Sequence, residues 1–127
     1  MTLKKLLQLQ LLYYGLGMAF NAVSIYIIST GGQALTPNEP VGGSMAMTLY
    51  ASFLIPGFLK KISIYRILMV LAVILLGYGG VLKHFYFLRT SPELYHSLAA
   101  GLIGMSINIF GLILNCLAAF GKFTSTE

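Results

Sequence analysis

The chain has 127 residues, of which 57% are hydrophobic and only 9% charged, whereas a soluble domain carries about 25% charged residues. This composition excludes a soluble enzyme or binding domain of ordinary size. The formal charge of +5 does not indicate a nucleic-acid partner, because the basic residues flank apolar segments and form no polar face.

Four apolar segments occupy nearly the whole length, and a membrane helix needs roughly 20 apolar residues. We therefore predict an all-α integral membrane protein with one membrane domain, residues 1–127, folded as an antiparallel up-down four-helix bundle. The predicted helices cover residues 6–30, 42–59, 64–88 and 93–120. We interpret the first as a retained helix and not a signal peptide, because its apolar run continues past the weak cleavage pattern at residues 17–19.

The first two segments carry small and polar residues at helical spacing, which predicts one polar face on each helix. On the first helix this face consists of Gln10, Tyr14, Gly17, Asn21 and Ser24. On the second it consists of Ser44, Thr48 and Ser52.

Turn residues predict where two helices begin and where one ends. Residues 36–39 and 90–93 each place a hydroxyl, a Pro and a Glu at capping-box spacing, which favours helix starts before the second and fourth segments. Pro56 and Gly57 are expected to kink or end the second helix, because Pro lacks a backbone donor.

The third segment is free of charge only over residues 67–82, about 24 Å of helix, which is shorter than a bilayer core of about 30 Å. Arg66 and Lys83 must therefore snorkel to the interface, or the helix must continue through residues 84–88. Gly77, Gly79 and Gly80 predict a bare patch where a neighbouring helix comes close.

The fourth segment, residues 97–120, combines an apolar surface with one face of small and polar residues. That face consists of Ala100, Gly104, Asn108, Gly111, Asn115 and Ala118. It predicts contact with another helix. The single cysteine, Cys116, excludes an internal disulfide, and we expect a small buried side chain there, with lipidation or an intermolecular disulfide as alternatives.

The polar groups within the apolar segments need hydrogen-bond partners in a bilayer. Asn21 and Asn108 fall near the middle of their helices, and we expect the first and fourth helices to meet through them. The preferred interpretation is a dry core in which Asn21, Thr48, Ser52, Asn108 and Asn115 bond to one another. The alternative is a solute path lined by the same groups.

Basic and histidine residues cluster around the predicted loop between the third and fourth helices. Lys83, His84, Arg89 and His96 are candidates for binding a lipid phosphate or another ligand at the outer interface. His84 and His96 could in principle hold a haem or a metal, or sense pH, but we favour a pair of interfacial polar residues. We predict no cofactor.

We expect a small membrane protein without catalytic chemistry, acting as an accessory or assembly subunit of a larger membrane complex. The alternative is a transporter or channel for a small solute or a lipid, acting as a homo-oligomer with a path lined by Asn21, Asn108 and Asn115. The acidic residues, Glu39, Glu93 and Glu127, all lie outside the apolar segments, which argues against a proton-coupled exporter. The expected partners are membrane lipids and other subunits or copies of this chain, and the expected location is the inner (plasma) membrane.

The distribution of basic residues predicts that both termini are cytoplasmic. The inner side would then hold six of the eight Lys and Arg residues, namely Lys4, Lys5, Lys60, Lys61, Arg66 and Lys122. We expect Gln33→Cys and Ser91→Cys, each in a Cys116→Ser background, to react with an impermeant thiol reagent added outside intact cells. Reaction at these two positions only after the cytoplasmic side is exposed would show the opposite orientation.

Overall fold

The computed structural model describes residues 1–124 and is all-helical over that part of the chain. Four helices are long and apolar enough to cross a membrane, as predicted: Leu3–Ser29 (α1), Pro40–Phe58 (α2), Ile62–Thr90 (α3) and Leu98–Phe120 (α4). Residues 125–127, the end of the predicted domain and of its polar tail, lie outside the described residues.

The helix starts differ from the prediction because other side chains cap them. Thr2 caps α1 by accepting the backbone N–H of Lys5, so the helix begins at Leu3 and not at residue 6 as predicted. The carboxylate of Glu39 caps α2 by accepting the N–H groups of Val41 and Gly42 at 2.9 and 2.6 Å, so the capping box predicted over residues 36–39 is wrong. Pro40, with no N–H to satisfy, occupies the first helical position.

The second capping box is also wrong. Residues Pro92–Leu94 form a single 3₁₀ turn, and α4 begins later, at Leu98. Ser97 is the cap, since its hydroxyl accepts the N–H of Ala100 at 3.0 Å. A Ser, Thr, Asp or Asn cap satisfies one of the four free N–H groups of a first turn, and Ser97 does so immediately before the apolar run.

Helix α2 is interrupted where proline removes a donor. Its first part, Pro40–Phe53, ends at Leu54, and a further turn, Ile55–Phe58, contains Pro56 and Gly57. The prediction that this pair would kink or end the helix agrees with the interruption. Gly57 is buried, and a Cβ there would lie 3.0 Å from atoms of Leu7 and Tyr65, so α2 comes close to α1 and α3 at this end.

Helix α3 continues past its charge-free stretch to Thr90, which selects the second of the two alternatives for this segment. Its middle, Gly77–Leu82, has π-helical hydrogen bonding. In a π segment the backbone hydrogen bonds join residues five apart, one more than in an α-helix. The carbonyl oxygen of Gly80 accepts an N–H from the side chain of Asn108 at 2.9 Å, so α4 approaches α3 at the predicted glycine patch.

The small-residue face of α4 is its packed face, as predicted. Gly104 and Gly111 are buried beneath aromatic rings of α1: a Cβ on Gly104 would lie 2.9 Å from the ring of Phe20, and a Cβ on Gly111 would overlap the ring of Tyr13. Helix α1 therefore packs between α4 on one side and α2 on the other, and α3 packs along α4. Helices α2 and α3 meet mainly at the end that contains Pro56 and Gly57.

One end of the bundle is joined through Arg66. Its guanidinium donates to the carbonyl oxygens of Ala118 and Ala119, both at 3.2 Å, and lies 4.5 Å from the ring centre of Phe123. A cation at the C-terminus of a helix is favourable because the last carbonyls have no partner within the helix. Backbone bonds from Leu3 to Thr124 and from Thr124 to Met1 hold the two ends of the described chain together.

The contact between α1 and α4 yields a test of stability. Gly111→Ala would push a methyl group into the ring of Tyr13, which is itself buried and packed edge-on against Tyr50 at 5.2 Å. We expect a loss of about 1–3 kcal/mol, as for overpacked cores. Gly15→Ala is the control, since a Cβ there meets nothing within 4 Å.

The measurement is the free energy of unfolding in detergent micelles titrated with a denaturing detergent. Gly15→Ala should leave this free energy unchanged or slightly higher, because Ala favours helix over Gly. If Gly111→Ala were as stable as Gly15→Ala, the close approach of α1 and α4 at this point would be wrong.

Candidate functional site: a cavity between the helices

The polar groups at the centre of the bundle divide into a closed cluster and a cavity wall. The closed cluster contains Gln10 of α1 and Asn115 of α4, both fully buried. The Nε2 of Gln10 donates to Oδ1 of Asn115 at 3.1 Å, and the hydroxyl of Tyr50 donates to the same oxygen at 2.7 Å. The hydroxyl of Tyr65 donates to Oε1 of Gln10, so all four long helices contribute to the cluster.

The orientation of the two amides follows from their partners. Gln10 also donates from Nε2 to the sulfur of Met69 at 3.1 Å, and a thioether can only accept. This places the Gln10 oxygen toward Tyr65 and the Asn115 oxygen toward Tyr50. Among the described residues, the Nδ2 of Asn115 is the buried side-chain atom left without a partner.

Beside this cluster, the helices enclose a cavity of about 320 Å³ that is partly open to the molecular surface. Side chains from all four helices line it, and its wall is largely apolar. The main apolar side chains on the wall are Phe20, Met47, Phe53, Leu75, Leu76 and Ile107. Because α2 and α3 meet mainly at the Pro56 end, the cavity lies where these two helices separate.

Two of the predicted asparagines lie on the cavity wall, but they do not bond to each other. Asn21 donates from Nδ2 to the carbonyl oxygen of Gly17 in its own helix at 3.0 Å, and Asn108 donates to Gly80 at 2.9 Å. The expected pairing of α1 and α4 through Asn21 and Asn108 is therefore wrong. The two helices do meet, but through Tyr13, Phe20 and the glycines beneath them.

The oxygen of Asn21 lies against α2. A Cβ on Gly43 would be 2.7 Å from that oxygen, so glycine at this position leaves room for the amide. Asn21 thus stands where α1, α2 and the cavity meet.

The end of the cavity next to the loops contains a second polar group. His84 is 3% exposed, and its two ring nitrogens lie 2.9 Å from Nδ2 of Asn38 and 2.7 Å from the hydroxyl of Tyr95. A neutral ring fits this arrangement when Nε2 accepts from Asn38 and Nδ1 donates to Tyr95. Burial raises the pKa of the Tyr95 hydroxyl, which keeps it protonated. Asn38, His84 and the buried Thr36 all line the cavity.

The loops close this end of the bundle. The side chain of Gln33 donates to the carbonyl oxygen of Glu93 at 2.7 Å, and the backbone N–H of His96 donates to Leu35 at 3.3 Å. The hydroxyl of Ser24 accepts the N–H of Leu35 at 3.0 Å and so ties the α1–α2 loop back to α1.

Thr48 and Ser52 are neither in the closed cluster nor on the cavity wall. Both are exposed, and their hydroxyls donate to carbonyl oxygens of their own helix, at Ser44 and Leu49. A hydroxyl that bonds back to the preceding turn needs no partner on another helix. The dry core of five mutually bonded groups is therefore wrong: within the described part of the chain, Asn115 alone of the five is in a closed core.

The four candidates at the outer interface do not form one site. Lys83 and Arg89 are exposed, with their cations 5.9 Å from the ring centre of Phe87 and 5.6 Å from that of Phe85. His96 is exposed, and its Nδ1 contacts the carbonyl oxygen of Gln33 at 3.0 Å, whereas His84 is buried in the network described above. Cys116, expected to be buried, is a free thiol of intermediate exposure.

Gln10, Tyr50 and Tyr65 are not among the predicted site residues. Gln10 lies on the predicted polar face of the first helix, but its partners Met69, Tyr65 and Asn115 come from two other helices and are distant in the chain. Each tyrosine lies in or beside an apolar segment, where tyrosine is commonly an interfacial anchor. Their hydrogen bonds depend on how the helices pack, and helix packing leaves no pattern among the neighbouring residues in the sequence.

Comparison with protein-family models, curated proteins and solved structures finds no match to this chain. Among residues 1–124, no group of three or more His, Cys, Asp or Glu side chains is placed to hold a metal ion.

The closed cluster predicts a cost for a single lost hydroxyl. Tyr65→Phe leaves Oε1 of the fully buried Gln10 without its Tyr65 donor, and we expect about 1 kcal/mol of lost stability. Tyr26→Phe is the matched control, because Tyr26 is 68% exposed. Unfolding free energies in mixed micelles distinguish the two, and an equal effect of both substitutions would contradict the central hydrogen bond.

Proposed function

We propose that this protein binds a small, mainly apolar molecule between its helices and carries it within or across the bilayer. The observation that supports this most strongly is the cavity of about 320 Å³ beside the closed polar cluster. Sites for small molecules are typically about 300–1,000 Å³, largely apolar, with a few polar groups that orient the ligand. The wall of this cavity has that composition, with Asn21, Asn108, His84, Asn38 and Thr36 among its polar groups.

The position of the opening supports entry from the lipid. We infer that the opening lies between α2 and α3, because Leu49 of α2 and Leu75 of α3 line the cavity and are 56% and 57% exposed. Exposed leucines at an opening favour a bilayer environment over water. A molecule dissolved in the bilayer can then reach the cavity sideways without passing through water.

The bilayer setting itself is supported by the surface of the bundle. Many large apolar side chains are exposed on all four helices, among them Ile67 at 68%, Ile74 at 62% and Leu98 at 65%. We propose an antiparallel, cytoplasmic-in arrangement in the inner (plasma) membrane, because the basic residues are concentrated on one set of loops.

This proposal places the transporter hypothesis ahead of the accessory-subunit hypothesis. The reason is that Asn21 and Asn108 lie on a cavity wall and not in a dry core. The accessory-subunit hypothesis and self-association both stay predictions from the sequence. Extraction in a mild detergent tests them: co-purifying partner proteins would support an accessory subunit, and a homogeneous oligomer of this chain would support self-association. We propose no catalytic role, since the groups on the described wall are amides, hydroxyls and one hydrogen-bonded imidazole.

Filling the cavity should displace its ligand without unfolding the protein. Gly79 lines the cavity, and a Cβ there meets nothing within 4 Å, so Gly79→Leu adds a side chain in open space. With the protein in phosphatidylcholine vesicles and a small apolar diazirine as the probe, we expect photolabelling of cavity-wall peptides to fall several-fold. Gly15→Leu is the matched control, because Gly15 is equally unobstructed but lies outside the cavity.

A second pair of variants tests the same cavity with a larger side chain on α2. Ala46 of α2 lines the cavity, whereas Ala22 of α1 is exposed and lies outside it. Ala46→Phe should reduce labelling and Ala22→Phe should not. If neither Gly79→Leu nor Ala46→Phe lowered labelling relative to its control, binding in this cavity would be excluded.

A further inference from the structure

The chemistry of the cavity wall restricts the head group of its ligand. Among the described residues that line the cavity, none is Lys, Arg, Asp or Glu. A charged group moved into an apolar site without an opposite charge loses far more hydration than the site returns. The wall therefore favours an uncharged molecule.

The wall amides of Asn21 and Asn108 keep more acceptor than donor capacity. Each uses one N–H on a backbone carbonyl, Asn21 on Gly17 and Asn108 on Gly80. A backbone carbonyl can only accept, so these bonds also identify which side-chain atom is nitrogen. Each amide keeps one N–H and both acceptor positions of its oxygen, and neither oxygen has a hydrogen-bond donor among the described residues.

For Asn21 and Asn108 together, the unused capacity is therefore two acceptor positions for every donor. A ligand hydroxyl can donate to one amide oxygen and accept from the other amide. An ether or ketone oxygen can only accept, and it would leave both amide oxygens unpaired in an apolar site, which is costly. The wall thus selects for a head group that donates.

The size of the cavity restricts the apolar part. A volume of about 320 Å³ is at the lower end of the range for small-molecule sites, so it suits one chain or one compact ring system. The opening between α2 and α3 lets the remainder of such a molecule stay in the surrounding lipid.

Resting on the proposed function, we propose that the occupant is an uncharged lipid alcohol with a single apolar chain or ring system. Its hydroxyl bonds to Asn21 and Asn108, and its apolar part lies along Phe20, Phe53 and Ile107.

The test uses three probes that share one diazirine-bearing sixteen-carbon chain and differ in the head group: the primary alcohol, its methyl ether and the primary amine, which is cationic at neutral pH. The full chain is placed in phosphatidylcholine vesicles, and adducts on cavity-wall peptides are quantified. We expect the alcohol to label about five-fold more than the ether, the ratio given by one net hydrogen bond, and more than the amine.

The outcomes separate the two proposals. If none of the three probes labels the cavity wall, the proposed function fails, and the lipid-alcohol assignment fails with it. If the probes label the wall but the ether equals the alcohol, the lipid-alcohol assignment alone is overturned. If the amine labels most strongly, the cavity is a cation site and the assignment is likewise overturned.

A variant tests the role of the amide separately from the fold. Asn21 donates within its own helix, so Asn21→Leu removes the acceptor without breaking a bond between helices. We expect the alcohol to lose most of its advantage over the ether in this variant. Gln8→Leu, an exposed position outside the cavity, should keep that advantage. An unchanged preference in Asn21→Leu would overturn the assignment of Asn21 to the head group.

Discussion

The contact between α1 and α4, where aromatic rings lie on glycines, determines the rest of the structure. Tyr13 covers Gly111 and Phe20 covers Gly104. In a bilayer the lipid chains are as apolar as the side chains, so close packing of small residues replaces hydrophobic burial as the reason for helices to associate. This contact places α2 on the far side of α1 and α3 on the far side of α4, and the space left between α2 and α3 becomes the cavity.

The need to satisfy polar groups away from water explains why the asparagines have different roles. Asn115 lies where all four long helices converge, and its oxygen takes donors from Gln10 and Tyr50. Asn108 faces the π segment of α3 and bonds to Gly80. Asn21 satisfies part of its amide within its own helix and leaves its oxygen at the cavity. The polar residues that the sequence places on helix faces therefore separate into a closed hydrogen-bond network and part of the cavity wall.

The cavity combines features that are costly in a purely structural bundle. Its wall includes a π segment, glycines at 79 and 80, and amide oxygens without a donor among the described residues. Filling the space with larger apolar side chains would increase packing and stability. Open volume beside a well-packed cluster is consistent with a site kept for a ligand.

The all-helical class, the four long apolar helices and the packed face of α4 could be predicted from the sequence, because hydrophobic length and residue spacing are local properties. The sequence did not determine which polar groups meet. Thr48 and Ser52 share the helical spacing of a polar face, yet each bonds to its own backbone, and Tyr50 and Tyr65 give no local sign of their buried partners. These pairings and the cavity are visible only in the folded chain, since both depend on the distances between helices that are far apart in the sequence.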